Sequence, residues 1–394
     1  MVSRIYFAQV TDPHVGSKFS FCSEEATRNL HWALKDLASL NPCPALVLVT
    51  GDLVCVGTSD ELREYRELIK GSPIPLYHLA GNHDIANSDA ENTWKKIIGP
   101  LMQSTTVGEL QFLLWKDMHY EKGVWRSQAT PEQMEWIKEQ LSTWAPNPTI
   151  IAFHNPIQQV GGTYINEWKG SNTDKLLSLF TENNVIAMVT GHLHWNGEWM
   201  VNGIPLITTG PLCGWQWNDT PPHYTFPIRP GYRLFCFENG VIRSFWRDGP
   251  YYGANEAVAT GEQVTLVKIG SAHTGGPRPQ VRLIDVFGKV RLLAKAYSPK
   301  GRIVKVEWRL VKGEWHPMKR TFQGIWSEWE AELDPAEFHT PADYICVVRA
   351  ESAEGSKAYD AVPIRLNDSA SSGSAYTPSQ EERRMLFEPF DLPE

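Results

Sequence analysis

The chain has 394 residues, which points to two domains rather than one. Hydrophobic residues make up 42% of it, enough for packed cores and too many for a disordered chain. A formal net charge of -8 at pH 7 argues against general nucleic-acid binding, yet leaves room for a small anionic substrate where cations supply local positive charge.

Residues 4–10 read as a buried strand with a polar stop at Thr11-Asp12. Residues 24–40 read as an amphipathic helix, capped by Ser23, with Ala26, Leu30, Ala33, Leu34 and Leu37 on one face. A second apolar run, Ala45 to Val49, stops at Thr50-Gly51-Asp52. A short helix at 59–70 precedes a strand at 76–80, which stops at Gly81-Asn82-His83-Asp84. This β-α-β-α-β order implies parallel pairing with helices covering the sheet.

The grammar then repeats. Thr130-Pro131-Glu132-Gln133 opens a helix with an N-cap, a proline in the first turn and a capping-box glutamine. Thr149 to Phe153 is a strand ending at His154. A helix over 173–183 leads to a strand, Val185 to Val189, ending at Thr190-Gly191-His192. Strands follow at 199–208, 232–237 and 241–246, with the turn Asn239-Gly240 joining the last two.

From about residue 262 the helical period disappears. Val304, Val306, Trp308 and Leu310 alternate with charged residues, as Tyr344, Cys346, Val348 and Ala350 alternate with their neighbours. Short strands and regular turns predict a small β-sandwich. The expected division is therefore 1–260, 261–367 and a tail at 368–394, flexible or docked. The six cysteines form no C-x-x-C pair, so buried thiols are expected rather than a disulfide framework or a zinc ribbon. No apolar run reaches membrane-spanning length, and Ile5 to Val10 is too short for a signal peptide core. A cytoplasmic protein is expected.

Five short motifs lie where strands stop: Asp12-Pro13-His14, Gly51-Asp52, Gly81-Asn82-His83-Asp84, His154, and Gly191-His192-Leu193-His194. Singly, Asp-x-His or Gly-Asp is a weak signal, whereas Gly-Asn-His-Asp is specific. In open α/β sheets, sites form beyond the carboxyl ends of strands, so five strands would deliver these side chains to one rim. Glycines before Asp52, Asn82 and His192 would allow sharp turns.

The set D-x-H, G-D, G-N-H-D, H and G-H-x-H resembles the signature of the calcineurin-like metallophosphoesterases, over roughly residues 4–247. The resemblance implies a four-layer α-β-β-α sandwich with a dinuclear metal site. Asp12, His14 and His194 would hold one metal, Asn82, His154 and His192 the other, and Asp52 would bridge them. His83 would face the scissile phosphate. Two divalent ions about 3.5–4 Å apart can grip phosphoryl oxygens and a hydroxide between them. Mixed His, Asp and Asn donors suit Mn, Fe or Zn better than Mg, and no thiolate is needed. His83, if protonated, could stabilise developing charge or protonate the leaving oxygen. Asp84 reads as a supporting residue rather than a reacting one.

Protein serine/threonine phosphatases of this kind continue G-D into G-D-x-x-D-R-G. Here the stretch is Gly51-Asp52-Leu53-Val54-Cys55-Val56-Gly57, without the second aspartate or the arginine. The pattern is closer to the bacterial cyclic-nucleotide phosphodiesterase branch. The expectation is a phosphodiesterase acting on a cyclic-nucleotide, nucleotide or aryl diester. The runners-up are a phosphomonoesterase or promiscuous phosphotriesterase on the same site, and a binding scaffold with a relic site. Trp168, Trp215, Trp217, His223 and Tyr224 would wall the substrate pocket, where a base or aryl group could stack. The C-terminal domain resembles immunoglobulin- or fibronectin-like modules without the Cys-Trp-Cys framework, and could mediate a homodimer. The partner expected is a small phosphate ester, with no general nucleic-acid or membrane binding.

Overall fold

The computed structural model describes residues 4–16, 23–85, 89–121, 124–157, 159–160, 163–164, 168, 172–194, 196–214, 230–250, 261–270, 272–273 and 283–367. Two compact units divide the chain, Met1–Gly253 and Ala254–Glu394.

The first unit begins with β1 (Ile5–Val10), α1 (Ser23–Ser39), β2 (Val47–Thr50), α2 (Ser59–Leu68) and β3 (Leu76–Leu79). It continues through α3 (Ala90–Ile97), β4 (Met102–Val107), β5 (Leu110–Trp115), β6 (Met118–Glu121) and β7 (Val124–Ser127). Then come α4 (Pro131–Trp144), β8 (Thr149–Ala152), β9 (Gln159–Val160), β10 (Thr163–Tyr164) and α5 (Thr173–Glu182). It closes with β11 (Val185–Thr190), β12 (Gly197–Val201), β13 (Ile204–Thr208), β14 (Gly231–Glu238) and β15 (Val241–Asp248). Two mixed sheets result, with strand orders β15-β14-β1-β2-β3 and β12-β13-β11-β8-β5-β4. Parallel pairing links β1, β2 and β3 in one, and β5, β8, β11 and β13 in the other.

The period of two decides which residues face which layer. Phe112 and Leu114 of β5 and Ile150 and Ala152 of β8 turn toward Phe7, Leu48, Leu79 and Phe235 of the first sheet. Their neighbours Leu113, Trp115, Ile151 and Phe153 turn away, toward Ile137 and Leu141 of α4 and Leu176, Leu177 and Phe180 of α5. Phe7 anchors the layer between the sheets, stacked on Phe235 at 4.6 Å and edge-on to Phe112 at 4.9 Å. On the outer side of the first sheet α1 packs against β14, and Tyr232 Oη donates to Asp36 Oδ2 at 2.6 Å.

Several expectations are met in detail. Thr130 caps α4 as the motif predicts: Gln133 N donates to Thr130 Oγ1 at 3.2 Å and Thr130 N donates to Gln133 Oε1 at 2.8 Å. Asn239 and Gly240 both take positive φ, 53° and 77°, as a tight hairpin turn requires. The β4–β5 and β6–β7 hairpins, α3, and the Asn202-Gly203 turn inside 199–208 were not anticipated. β4 is a partly exposed edge strand of polar and mixed residues, so it lacks the apolar run that marks a buried strand. No helix among the described residues is long and apolar enough to cross a membrane.

Among the described residues the second unit is all-β apart from a short 3-10 turn at Pro335–Glu337. Its strands are β16 (Gln263–Ile269), β17 (Ala272–His273), β18 (Ile284–Phe287), β19 (Val290–Tyr297) and β20 (Ile303–Leu310). They continue with β21 (His316–Pro317), β22 (Lys319–Gln323), β23 (Ser327–Leu333), β24 (Ala342–Ser352) and β25 (Lys357–Asn367). Two five-stranded sheets, β17-β16-β19-β23-β22 and β18-β25-β24-β20-β21, share one core containing Leu266, Leu292, Trp308, Trp329, Val348 and Ile364. The alternation expected from Val304 fails at its first member. The register shifts between Ile303 and Lys305, so Ile303 is buried and Val304 is 44% exposed. The tail at 368–394 lies outside the described residues.

One buried group in the first unit makes stability depend on pH. His78 on β3 is buried, with Nε2 3.0 Å from Tyr65 Oη. Burial, and then the charge of Arg66, hold its pKa down at about 3. An unfolded histidine accepts a proton below about pH 6.5, which the folded chain refuses, so this contribution is full above that pH and lost toward acid. His78→Gln is expected to remove about one proton from the acid-side slope, roughly 1.4 kcal/mol per pH unit, in urea unfolding from about pH 6 to 4. Phe7→Ala should cost about 3–5 kcal/mol by the same method.

Candidate metal centre

The strands stop at one rim, and the chain leaves each of them in a constrained way. Asp12 N donates to the carbonyl of Gly51 at 3.1 Å, and His14 N to that of Asp52 at 3.0 Å. Leu212 N and Cys213 N donate to the carbonyls of Thr11 and Asp12, at 2.8 and 3.1 Å. Gly191 N donates to the carbonyl of His154 at 3.0 Å. Pairing thus carries on past the ends of β1, β8 and β11, in kinked backbone. Asp12, His14, Asp52, His192 and His194 all lie at positive φ, between 47° and 67°. Non-glycine residues rarely take that region, and it turns these side chains out of the strand's alternation and into the rim.

Only one of the three glycines makes the turn expected of it. Gly51 does sit at φ 94°, but Gly81 and Gly191 are not in the left-handed region. What they supply is room. A Cβ on Gly81 would strike Asp52, one on Gly191 would strike the Thr11 hydroxyl and Asp12, and one on Gly51 would strike the His154 ring.

Each buried carboxylate is tethered by one oxygen and offers the other. Asp12 Oδ2 accepts from Thr11 Oγ1 at 2.6 Å and from His192 N at 3.1 Å. Its Oδ1 faces His194 Nε2 at 3.3 Å and His154 Nε2 at 3.9 Å. Asp52 Oδ1 accepts from His83 N at 2.9 Å, while Oδ2 faces His154 Nε2 at 3.2 Å and His14 Nε2 at 3.8 Å. His14 Nε2 and His194 Nε2 are 3.1 Å apart. The rings of His154 and His192 meet edge to face at 5.0 Å. Potential donors from Asp12, His14 and Asp52 lie within 4.8 Å of one another, as do those from Asp52, His154 and His192. Asp52 belongs to both groups.

The electrostatics call for positive charge at this point. A carbonyl can only accept, so His154 Nδ1, 2.8 Å from the Thr50 carbonyl, carries a proton. A neutral His154 ring would then aim its Nε2 lone pair at Asp52 Oδ2. Burial disfavours charging that ring, yet Asp52, with Asp12 and Asp117 nearby, outweighs burial and lifts it to about 10. Burial holds His14 neutral, at about 3. Asp12 Oδ1, Asn82 Oδ1 and His154 Nε2 are buried and take no hydrogen bond among the described residues. Inward-facing lone pairs on carboxylate, amide and imidazole groups fit a pair of divalent cations.

Around this cluster the other expected residues divide. His83 is half-buried, and its Nδ1 lies 2.7 Å from the Cys55 carbonyl, so Nδ1 carries the proton and Nε2 is presented. Asp84 is fully buried and laces two loops together, accepting from Val54 N at 3.1 Å and Gly81 N at 2.9 Å. Burial first, then Asp52, push its carboxyl up to about 8. Trp168, expected on a substrate pocket, sits instead in the core between the second sheet and its helices. It packs against Phe153 at 5.7 Å, and its Nε1 donates to the Asn155 carbonyl at 2.9 Å. Trp215, Trp217, His223 and Tyr224 lie outside the described residues.

Three supporting residues escaped the sequence reading. Asp117, just past β5, accepts from His154 N at 2.8 Å and Asn155 N at 3.2 Å, fixing the backbone that carries His154. Gln9 spans the two sheets: Nε2 donates to Thr50 Oγ1 and the Thr190 carbonyl, and Oε1 accepts from Thr209 Oγ1. Arg233 extends that network to Thr209 Oγ1, Asn196 Oδ1 and Ser244 Oγ. The available signals were an aspartate two residues past an apolar run and an arginine inside one.

Residues 5–196 match the family described as calcineurin-like phosphoesterase. A 3',5'-cyclic adenosine monophosphate phosphodiesterase of Haemophilus influenzae is 25% identical over 248 residues, 61% of this chain and 88% of that one. A probable glycerophosphodiester phosphodiesterase of Arcobacter nitrofigilis is 24% identical over 208 residues, 51% of this chain and 76% of that one. A serine/threonine-protein phosphatase of Danio rerio is 24% identical over 245 residues, 54% of this chain and 77% of that one.

The packing at Gly81 makes a direct test. Gly81→Ala is expected to destabilise the chain by at least about 1–3 kcal/mol and to lose bound manganese after dialysis. Gly71→Ala, where a Cβ meets nothing within 4 Å but φ of +85° strains any side chain, should lose some stability yet bind manganese as the unaltered chain does.

Proposed function

We propose, from the premise that residues 5–196 belong to the calcineurin-like phosphoesterase family, that this metal-dependent phosphoesterase hydrolyses small phosphodiesters of the cyclic-nucleotide, nucleotide or aryl kind. The observation that carries the reading is the convergence of two donor groups on Asp52. Asp12, His14 and His194 would hold one cation and Asn82, His154 and His192 the other. Asp52 would serve both, and its Oδ1 takes the His83 N–H. Manganese, iron and zinc suit this donor set. When bound, two divalent cations would supply Lewis-acid charge to phosphoryl oxygens and activate water near neutral pH.

The chain's own residues supply the remainder. Asp84 holds the loops that carry Asp52 and Asn82, and Asp117 holds the backbone of His154. His83, anchored at Nδ1, presents Nε2 to stabilise charge on the departing oxygen or give it a proton. Diester preference is supported by the two relatives named as phosphodiesterases, and by the absence of the second aspartate and the arginine of G-D-x-x-D-R-G. A phosphomonoesterase is the second reading, favoured by the Danio rerio relative's name. In the same reading the first unit, to about residue 260, is a four-layer α-β-β-α sandwich, and residues 261–367 form an immunoglobulin- or fibronectin-like accessory sandwich.

Chelated protein resupplied with manganese should hydrolyse bis(p-nitrophenyl) phosphate faster than p-nitrophenyl phosphate. The reverse order selects the monoesterase, and no metal-dependent turnover of either sinks the enzyme reading. Asp52→Asn should abolish turnover and weaken metal loading. His83→Ala should keep the metal content but slow turnover by about 10²–10⁴-fold. A loss confined to poor leaving groups identifies proton donation, and an equal loss for all identifies charge stabilisation.

A further inference from the structure

One cysteine lies where the donor set above has no use for it. Cys213 is 3% exposed, and its Sγ lies within 4.8 Å of a ring nitrogen of His14 and one of His194, which share that distance between themselves. Its position is built. Leu212 N and Cys213 N pair with the carbonyls of Thr11 and Asp12, and Asn29 Nδ2 donates to the Cys213 carbonyl at 3.4 Å. The backbone that delivers Asp12 to the rim therefore also delivers Cys213, from a segment between β13 and β14.

We propose that Cys213 Sγ is a further ligand to the cation held by Asp12, His14 and His194, an inference that rests on the two-cation reading above. Zinc–sulfur and zinc–nitrogen distances of about 2.3 and 2.0–2.1 Å put such donors at most about 4.4 Å apart, close to the grouping observed here. The seven residues implied by the resemblance include no sulfur. A thiolate adds negative charge and softness on one side of the pair, so the two positions are chemically unequal. The one beside Cys213 favours zinc or iron(II), and the one formed by Asn82, His154 and His192 accepts harder ions such as manganese. Cys55 is the other cysteine near the rim, and its Sγ donates to the His14 carbonyl at 3.4 Å.

The full chain, freed of metal by chelation and titrated with cobalt(II) alone, tests this. The expected result is two bound cobalt ions per chain by elemental analysis, with a near-ultraviolet thiolate-to-cobalt charge-transfer band. Cys213→Ser should lose the band and weaken one cobalt site by more than the roughly 10–100-fold cost of removing an outer-shell partner. Cys55→Ser should keep both the band and the affinity. Two bound cobalt ions without a band, or a band lost in Cys55→Ser, overturns the thiolate ligand and leaves the two-cation reading standing. No bound cobalt overturns both. If Cys213→Ser does not fold, the chain with Cys22, Cys43 and Cys55 all changed to serine decides: a retained band supports Cys213 and a lost band overturns it.

Discussion

Two carboxylates buried among imidazoles set the terms for the rest of the first unit. Asp12 and Asp52 are 0% and 2% exposed, and burying an ionised carboxylate without compensation costs roughly several kcal/mol. Backbone N–H groups and a hydroxyl satisfy one oxygen of each, and the second oxygen is left turned inward. Burial holds His14 and His192 down at about 3, so these two rings add lone pairs rather than charge. A pair of cations would complete this arrangement, in which five loops concentrate negative charge and lone pairs in one place.

That concentration survives because two sheets, not one, present their ends to the same rim. β1, β2 and β3 deliver Asp12, His14, Asp52, Asn82 and His83 from one side. β8 and β11 deliver His154, His192 and His194 from the other. Gln9 fixes the spacing beneath them, since its amide is bonded to Thr50 of one sheet and to Thr190 and Thr209 of the other. A buried network of this kind, with both ends of the Gln9 amide bonded, specifies a single register between layers, where apolar packing alone tolerates small slides. The polar floor and the apolar layer around Phe7 therefore have separate roles, alignment and cohesion.

Much of this was readable from residues alone, for a specific reason. Each proposed ligand sits at the polar stop of an apolar run, and runs and stops are local features. The capping box at Thr130 and the Asn239-Gly240 turn were readable on the same ground. Asp117, Gln9 and Arg233 were not, because their partners, Ser244 apart, are 24 to 200 residues away along the chain and become neighbours only when the strands assemble. Trp168 was misread because position next to a ligand motif was taken for proximity to the cleft, while its ring fills a gap beside Phe153. Val304 was misread because strict alternation cannot anticipate a bulge. Gly81 and Gly191 are correctly located but serve another purpose than a turn, since exclusion of a Cβ by a distant carboxylate leaves no local trace.

The left-handed backbone at Asp12, His14, Asp52, His192 and His194 also narrows what evolution or a designer can do with this rim. Asparagine, aspartate, histidine and glycine tolerate such a conformation, whereas valine, isoleucine and threonine are expelled from it by their branched Cβ. Any remodelling toward a different metal must therefore draw on a short alphabet. A swap to a branched side chain would distort the loop before its chemistry could be tried.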